Sequence, residues 1–356
     1  MRRTPALVLA ALLLPAGLAA CSDDDPSEIA TGDGFSIEAA LAELPDPDED
    51  DLRLTVVVAD MAEAAEANEA GERPTSGDDE DLGRWFLTAT GSGAPEDGEV
   101  LPPVFVPSAE VLGTQRLLSA GEIEEELGWS VLDVDAVAEV LAPPFRFAVV
   151  TGDVGEDTLT DAGLEPDGDG VVSVGDGEDG ETDPDAASAA RPIGAPVRMA
   201  ADGDRLAASS STDAVADWVD GDPETLADRD DLRAVAAALD DADALSAYIT
   251  TALDDEGGHT AVGIGWSVED GESRITIAYA YGSEADAEDG ADAVEAAFAG
   301  ASQQTGRPLA DLLALDEVEV DGDVVVAHTR PGPEGRPQVA MALLQQGSAP
   351  FVLGGG

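Results

Sequence analysis

The chain has 356 residues, of which 77 are Asp or Glu, 16 are Arg, two are His and none is Lys, giving a formal charge of −61. That charge excludes an electrostatic nucleic-acid footprint, and the absence of lysine excludes Schiff-base, P-loop-lysine and Ser-Lys chemistry. At 44% hydrophobic and 26% charged residues the chain is too apolar for a disordered acidic protein, and at roughly 150 residues per domain it has room for about two compact units.

Arg2 and Arg3 precede an apolar run at 6–14 (ALVLAALLL), which is too short for a permanent span of about 20 residues. It predicts a signal peptide over residues 1–20. The run ends in Leu18-Ala19-Ala20-Cys21, the sole cysteine, followed by Ser22-Asp23-Asp24-Asp25. This stretch resembles a bacterial lipobox. The resemblance implies that the Cys21 thiol receives a diacylglycerol, that the chain is cut before it, and that the new amino terminus is acylated, palmitate being a typical chain. Two or three acyl chains anchor durably where one is marginal, so a lipoprotein on the extracytoplasmic face of the cell membrane is expected. Losing residues 1–20 removes two arginines and no acid, leaving −63. With its thiol lipidated the exported chain forms no disulfide, and the fold must rest on packing.

Residues 21–34 read as a lipidated flexible tether. Ile37, Leu41 and Leu44 then share a helical face, with Ser36 as N-cap and Pro45 as stop. A strand is expected at 52–59 (LRLTVVVA), and a helix at 61–70 with Asp60 and Glu63 as capping box. Residues 72–118 read as irregular but partly buried around Trp85, Phe86, Phe105 and Val106. A short helix is expected at 136–141, then a strand at 145–151, a helix near 156–162 and a strand at 171–174. The acidic, Gly-rich block 175–189 reads as a solvated linker. Strands at 197–201 and 206–209 flank Asp202-Gly203 as a hairpin. A helix capped by Thr212 carries Val215, Trp218 and Val219 and closes at Gly221. The next, from Asp222-Pro223, carries Leu232, Val235 and Leu239. After a strand at 245–251, Val262, Ile264, Trp266 and Val268 alternate, as do Ile275, Ile277, Tyr279 and Tyr281, across Asp270-Gly271. A helix at 284–304 follows, then Val318 and Val320 paired with Val324 and Val326 across Asp321-Gly322, a helix at 338–345, and a Gly-rich tail at 349–356.

These elements predict an α+β fold of antiparallel hairpins and sheets, with helices packed on one face and two similar-sized domains, 35–174 and 190–348, either side of the linker. No fixed repeat period indicates a solenoid or propeller, and an imperfect duplication stays open. The stretches 128–135, Pro143-Pro144-Phe145 into Val149-Val150-Thr151-Gly152, and 206–219 resemble actinobacterial lipoproteins of uncharacterised activity. That resemblance implies an envelope protein and transfers no catalytic residue.

The chemical motifs are weak. Gly175, Gly177 and Gly180 spell G-x-G-x-x-G, but Asp176, Glu178 and Asp179 fill the gaps and would repel a pyrophosphate. Gly128-Trp129-Ser130 and Gly265-Trp266-Ser267 lack the second glycine of a nucleophile elbow, and neither His259 nor His328 has a triad context. His259 follows Asp254-Asp255-Glu256 and is a weak candidate metal ligand, a loop histidine among solvated acids being the commoner case; His328 reads as a surface or edge residue. Asp167-Gly168-Asp169-Gly170 begins like a calcium loop, but Val171 takes the next ligand position and no Glu stands twelfth. Carboxylate pairs are too many for spacing to select one. Trp129, Trp218 and Trp266 read as core.

No catalytic residue and no cofactor is therefore expected. The favoured function is a non-enzymatic binding or interaction module of the cell envelope. Its partners are the membrane, through the lipid on Cys21, and an envelope protein, wall polymer or small ligand, with no nucleic acid. The alternative is an extracytoplasmic carboxylate-dependent hydrolase, assisted by a divalent cation. Converging buried acids in a pocket favour the second; a shallow apolar groove or an exposed sheet edge favours the first.

Overall fold

The computed structural model describes residues 29–47, 53–76, 81–93, 101–112, 119–167, 169–221, 223–251, 258–302, 306–348 and 350–351. The expected signal peptide and Cys21 lie outside these residues. Eleven strands form one antiparallel sheet: β1 (Thr55–Asp60), β2 (Val134–Ala142), β3 (Phe145–Gly152), β4 (Val172–Val174), β5 (Val197–Asp202), β6 (Arg205–Ser209), β7 (Ser246–Thr251), β8 (His259–Glu269), β9 (Glu272–Tyr281), β10 (Leu313–Asp321) and β11 (Val324–Pro331). Their spatial order is β10-β11-β9-β8-β7-β1-β2-β3-β6-β5-β4. The helices are α1 (Ile37–Ala42), α2 (Met61–Ala67), α3 (Leu82–Ala89), α4 (Ala120–Leu127), α5 (Glu156–Asp161), α6 (Thr212–Asp220), α7 (Asp230–Asp240), α8 (Glu284–Phe298) and α9 (Val339–Gln345). Among the described residues no helix is long and apolar enough to cross a membrane.

The α+β class holds, and the order of elements repeats. A helix, three neighbouring strands, a helix, a hairpin and a helix occur as α1-β1-β2-β3-α5-β5-β6-α6 and again as α7-β7-β8-β9-α8-β10-β11-α9. Outward from the centre of the sheet the two sets run β1-β2-β3-β6-β5 and β7-β8-β9-β11-β10, with β1 antiparallel to β7 at the seam. The boundary falls after Gly221, which ends α6 in a left-handed conformation (φ 72°). It does not fall at 175–189. That segment leaves β4 and returns as β5, which pairs with β4, and β6 pairs with β3, so the strands cross the boundary expected there. The first set is enlarged by α2, α3 and α4 between β1 and β2 and by β4 at the edge.

Helices cover both faces of the sheet rather than one, because the central strands are apolar on both sides. Val57 and Ala59 enter one core with residues of α2, α3, α4, α5, α8 and α9. Val56 and Val58 enter the other with α1, α6 and α7. Both faces of such a strand are dry, so alternation is lost from its sequence. This is why 136–141, expected as a helix, is instead β2: Ala136, Val137, Ala138 and Val140 are all fully buried. The hairpin of β8 and β9 is also buried on both faces, but its sequence still alternates because large residues such as Ile264, Trp266 and Ile277 enter one core and small ones such as Ala261, Ala278 and Ala280 the other; it has the expected Asp270-Gly271 turn. Beneath α7, Gly263 and Gly265 of β8 give the helix room. A Cβ on Gly263 would lie 2.3 Å from Val235 Cγ1, and one on Gly265 would lie 2.9 Å from the Ala244 Cβ.

Side-chain caps fix several ends. Ser36 accepts from the Ala39 N–H as expected; Asp60 accepts from the Glu63 N–H, one half of the expected capping box, while its own N–H donates to the Leu245 carbonyl; and the cap of α6 is Ser211 and not Thr212. Trp85 and Phe86, expected in irregular chain, lie on the buried side of α3. The helix expected at 284–304 ends at Phe298. Asp240 at the end of α7 accepts from the Ser36 hydroxyl and the Ile37 N–H, both at 2.7 Å, which ties the two repeated helices together.

Candidate functional site

A groove of about 780 Å³ lies at the end of the sheet where β2 turns into β3. Pro143, Pro144 and Phe145 form one wall; Pro192, Ile193 and Pro196, in the connection from β4 to β5, form the other. Ile193 is 60% exposed, the most exposed large hydrophobic residue described. The connection is held in place at two points. Asp179 accepts from the Thr212 N–H (2.6 Å), the Thr212 hydroxyl (2.8 Å) and the Arg198 Nε (2.9 Å). Arg191 Nε donates to Glu126 of α4 at 2.7 Å. Burial alone would raise the Asp179 carboxyl, but Thr212 and Arg198 hold it below its usual range. The Glu126 carboxyl is likewise held low, by Ser188 and Arg191 against the effect of burial.

Arg146 of β3 crosses the floor of the groove, its Nη1 donating to Glu110 Oε2 at 2.9 Å. Behind it lies Glu139 of β2, fully buried. Its Oε1 accepts from the Val111 N–H at 3.0 Å and its Oε2 from the Glu110 N–H. Burial pushes the Glu139 carboxyl up to about 7, opposed by these two N–H groups and by the Arg146 charge, and reinforced by the Glu110 charge. Glu139 thus pins the segment carrying Glu110 against β2, and Glu110 in turn orients Arg146. Neither Glu139 nor Arg146 stands out in the sequence. Their signal is a lone acid within Val137-Ala138-Glu139-Val140-Leu141 and a lone cation between Phe145 and Phe147.

The other buried acids stand elsewhere. Asp60 accepts from the Gly32 N–H (2.7 Å) and the Glu63 N–H (2.9 Å), and burial raises its carboxyl. Glu43 accepts from Arg205 Nη1 (2.5 Å) and from Trp218 Nε1 (2.8 Å), with the Arg205 guanidinium 5.4 Å from the indole centroid.

The residues weighed from sequence are dispersed. His259 opens β8 and is buried at 8% exposure, not in a solvated loop. Its ring meets Tyr279 and Tyr281 edge-on at 5.7 and 6.3 Å, and Asp254, Asp255 and Glu256 lie outside the described residues. Among those residues no group of three or more His, Cys, Asp or Glu converges. His328 in β11 is 3.8 Å from Glu319 on the edge strand. Asp167 Oδ1 accepts from the Asp169 and Val171 N–H groups and so closes a turn. In the G-x-G-x-x-G block it is a carboxylate, Asp179, that the neighbouring donors hold. Ser130 caps a short helical turn with Asp133. Trp129 and Trp266 are core as expected, Trp266 Nε1 donating to the Pro337 carbonyl at 2.7 Å. No protein-family model matches this chain, and no curated protein or solved structure matches it.

Proposed function

We propose that the chain is a lipid-anchored, extracytoplasmic binding module, moored through an acylated Cys21 and engaging an envelope protein, wall polymer or small ligand through the groove. The observation that carries this reading is the groove itself: about 780 Å³, walled by proline, phenylalanine and isoleucine, in the roughly 300–1,000 Å³ range of ligand sites. A carboxylate hydrolase needs two acids facing one substrate. Here the buried carboxylates of Glu43, Asp60 and Glu139 are each occupied by backbone, indole or guanidinium donors at separate places, which supports binding over hydrolysis.

Two measurements test the two parts. Mass analysis of the native product is expected to find residues 1–20 absent and Cys21 acylated, and Cys21→Ser is expected to release the protein from the membrane fraction; an unmodified thiol with the leader attached overturns the anchor. A photo-cross-linker placed at Ile193 is expected to give a defined adduct in cells that Phe145→Asp on the opposite wall prevents. No adduct there, with adducts from other surface positions, overturns the groove as the binding surface.

A further inference from the structure

The groove differs electrostatically from the rest of the molecule. Among the described residues its charged lining is Glu110, Arg146 and Arg191, one negative and two positive, in a chain whose formal charge is −61. Arg191 is committed to Glu126 and largely buried, the side chains being 13% and 22% exposed. Arg146 is less committed. Its partner Glu110 is 59% exposed, an exposed pair of the kind that water and salt weaken, and among the described residues the Glu110 contact is the one side-chain hydrogen bond Arg146 makes. A guanidinium carries five donors. An incoming carboxylate can therefore share or replace Glu110 on Arg146 without disturbing the fold, because the Glu110 backbone N–H stays on Glu139. Beside this cation the wall is apolar, and Ile193 is open to solvent.

We infer that the groove takes a single-chain amphiphile, an aliphatic chain ending in a carboxylate, with the chain along Pro144, Phe145 and Ile193 and the carboxylate on Arg146. This deepens the binding-module reading and rests on it. Gly32 is bonded to Asp60, which pairs with Ala136, whereas the groove lies at Leu141 and beyond, five strand residues or roughly 17 Å further along β2. A chain anchored at Cys21 enters the fold at the end of the sheet opposite the groove.

Dodecanoate and dodecyltrimethylammonium below their micellar concentrations, and dodecanol below its solubility, are the probes, with binding to the full chain read by calorimetry. Dodecanoate is expected to bind about tenfold or more tightly than the other two, the scale of a hydrogen bond to a charged group. Glu110→Gln, which alters an exposed side chain, is expected to tighten dodecanoate alone. Arg146→Gln is expected to erase the preference, and Ile193→Asp to weaken all probes. Equal binding of dodecanoate and dodecanol, lost in Ile193→Asp, overturns the carboxylate assignment and leaves the binding module standing. Binding of none overturns the amphiphile, and the Ile193 cross-link then decides the module separately. A Glu110→Gln variant with unchanged affinity overturns the role of Arg146.

Discussion

Glu139 carries a carboxyl through the middle of an otherwise apolar strand, and its pH behaviour follows from that position. In the fold it is protonated up to about 7, whereas in the unfolded chain it ionises near 4.5. Between those values the folded state binds more protons, so this group's contribution to stability falls as pH rises through that window. The loss is about 3 kcal/mol at most, at roughly 1.36 kcal/mol for each pH unit between the two values. Glu110 and Arg146 face it and modulate the window from the groove side. Denaturant unfolding of wild type and Glu139→Gln at about pH 5 and about pH 8 is expected to show the gap between them shifting in favour of the variant at the higher pH; a gap independent of pH contradicts the assignment. Asp179 works in the opposite sense. Its carboxyl is held low by Thr212 and Arg198, so its contribution is present above its ordinary range and lost on acidification. Asp179→Ala is expected to free the segment around it, and cleavage by a glutamate-specific protease after Glu178 and Glu181 should quicken while the rest of the chain stays resistant. Equal cleavage rates would remove Asp179 as the pin.

At the scale of elements, the closeness of α7 to β8 depends on two missing side chains. Gly263→Ala puts a methyl 2.3 Å from Val235 Cγ1, and Val235 is fully buried, so the Val235 side chain or the helix carrying it must shift. Overpacking of this kind costs roughly 1–3 kcal/mol. The same substitution at Gly271, whose Cβ would meet nothing within 4 Å but whose φ is +80°, costs through backbone strain only. Thermal unfolding of both variants is expected to show broadened side-chain near-UV signals for Gly263→Ala alone. How far the elements were legible follows the same logic of faces. The hairpins of β5 with β6, β8 with β9 and β10 with β11 announce themselves through a Gly turn, as Asp202-Gly203, Asp270-Gly271 and Asp321-Gly322. β2 does not, since a strand dry on both sides presents Val137, Ala138 and Val140 as a run that also suits a helix. α3 hides behind Gly83, and α4 behind a surface of four glutamates on which only Ala120, Ile123 and Leu127 are buried. The groove was not legible at all. Its walls come from the turn at Pro143-Pro144 and the connection near Ile193, and no local pattern says that these meet.

The whole molecule holds its charge on an outer shell of carboxylates with few strong countercharges. Among the described residues several ion pairs are exposed on both sides, such as Arg233 with Asp230 and Arg330 with Asp316, and these contribute little. At a formal charge of −61, self-repulsion opposes the compact state, and counterions at molar salt shorten its range to about 3 Å. The thermal midpoint is expected to climb from low salt to molar NaCl; a flat or falling midpoint would show that repulsion is not what limits stability. The repeat adds a second property of the whole. Its two sets of elements meet along the seam of β1 and β7, where Thr250 bonds the Leu54 carbonyl 196 residues away, and nearby Ser36 meets Asp240 at a separation of 204. Pairings this distant are slow to form. A nascent chain made amino end first has β1 waiting with an open flank until β7 emerges, so a chaperone that shields β1 until then should raise yield more than one acting on the finished protein.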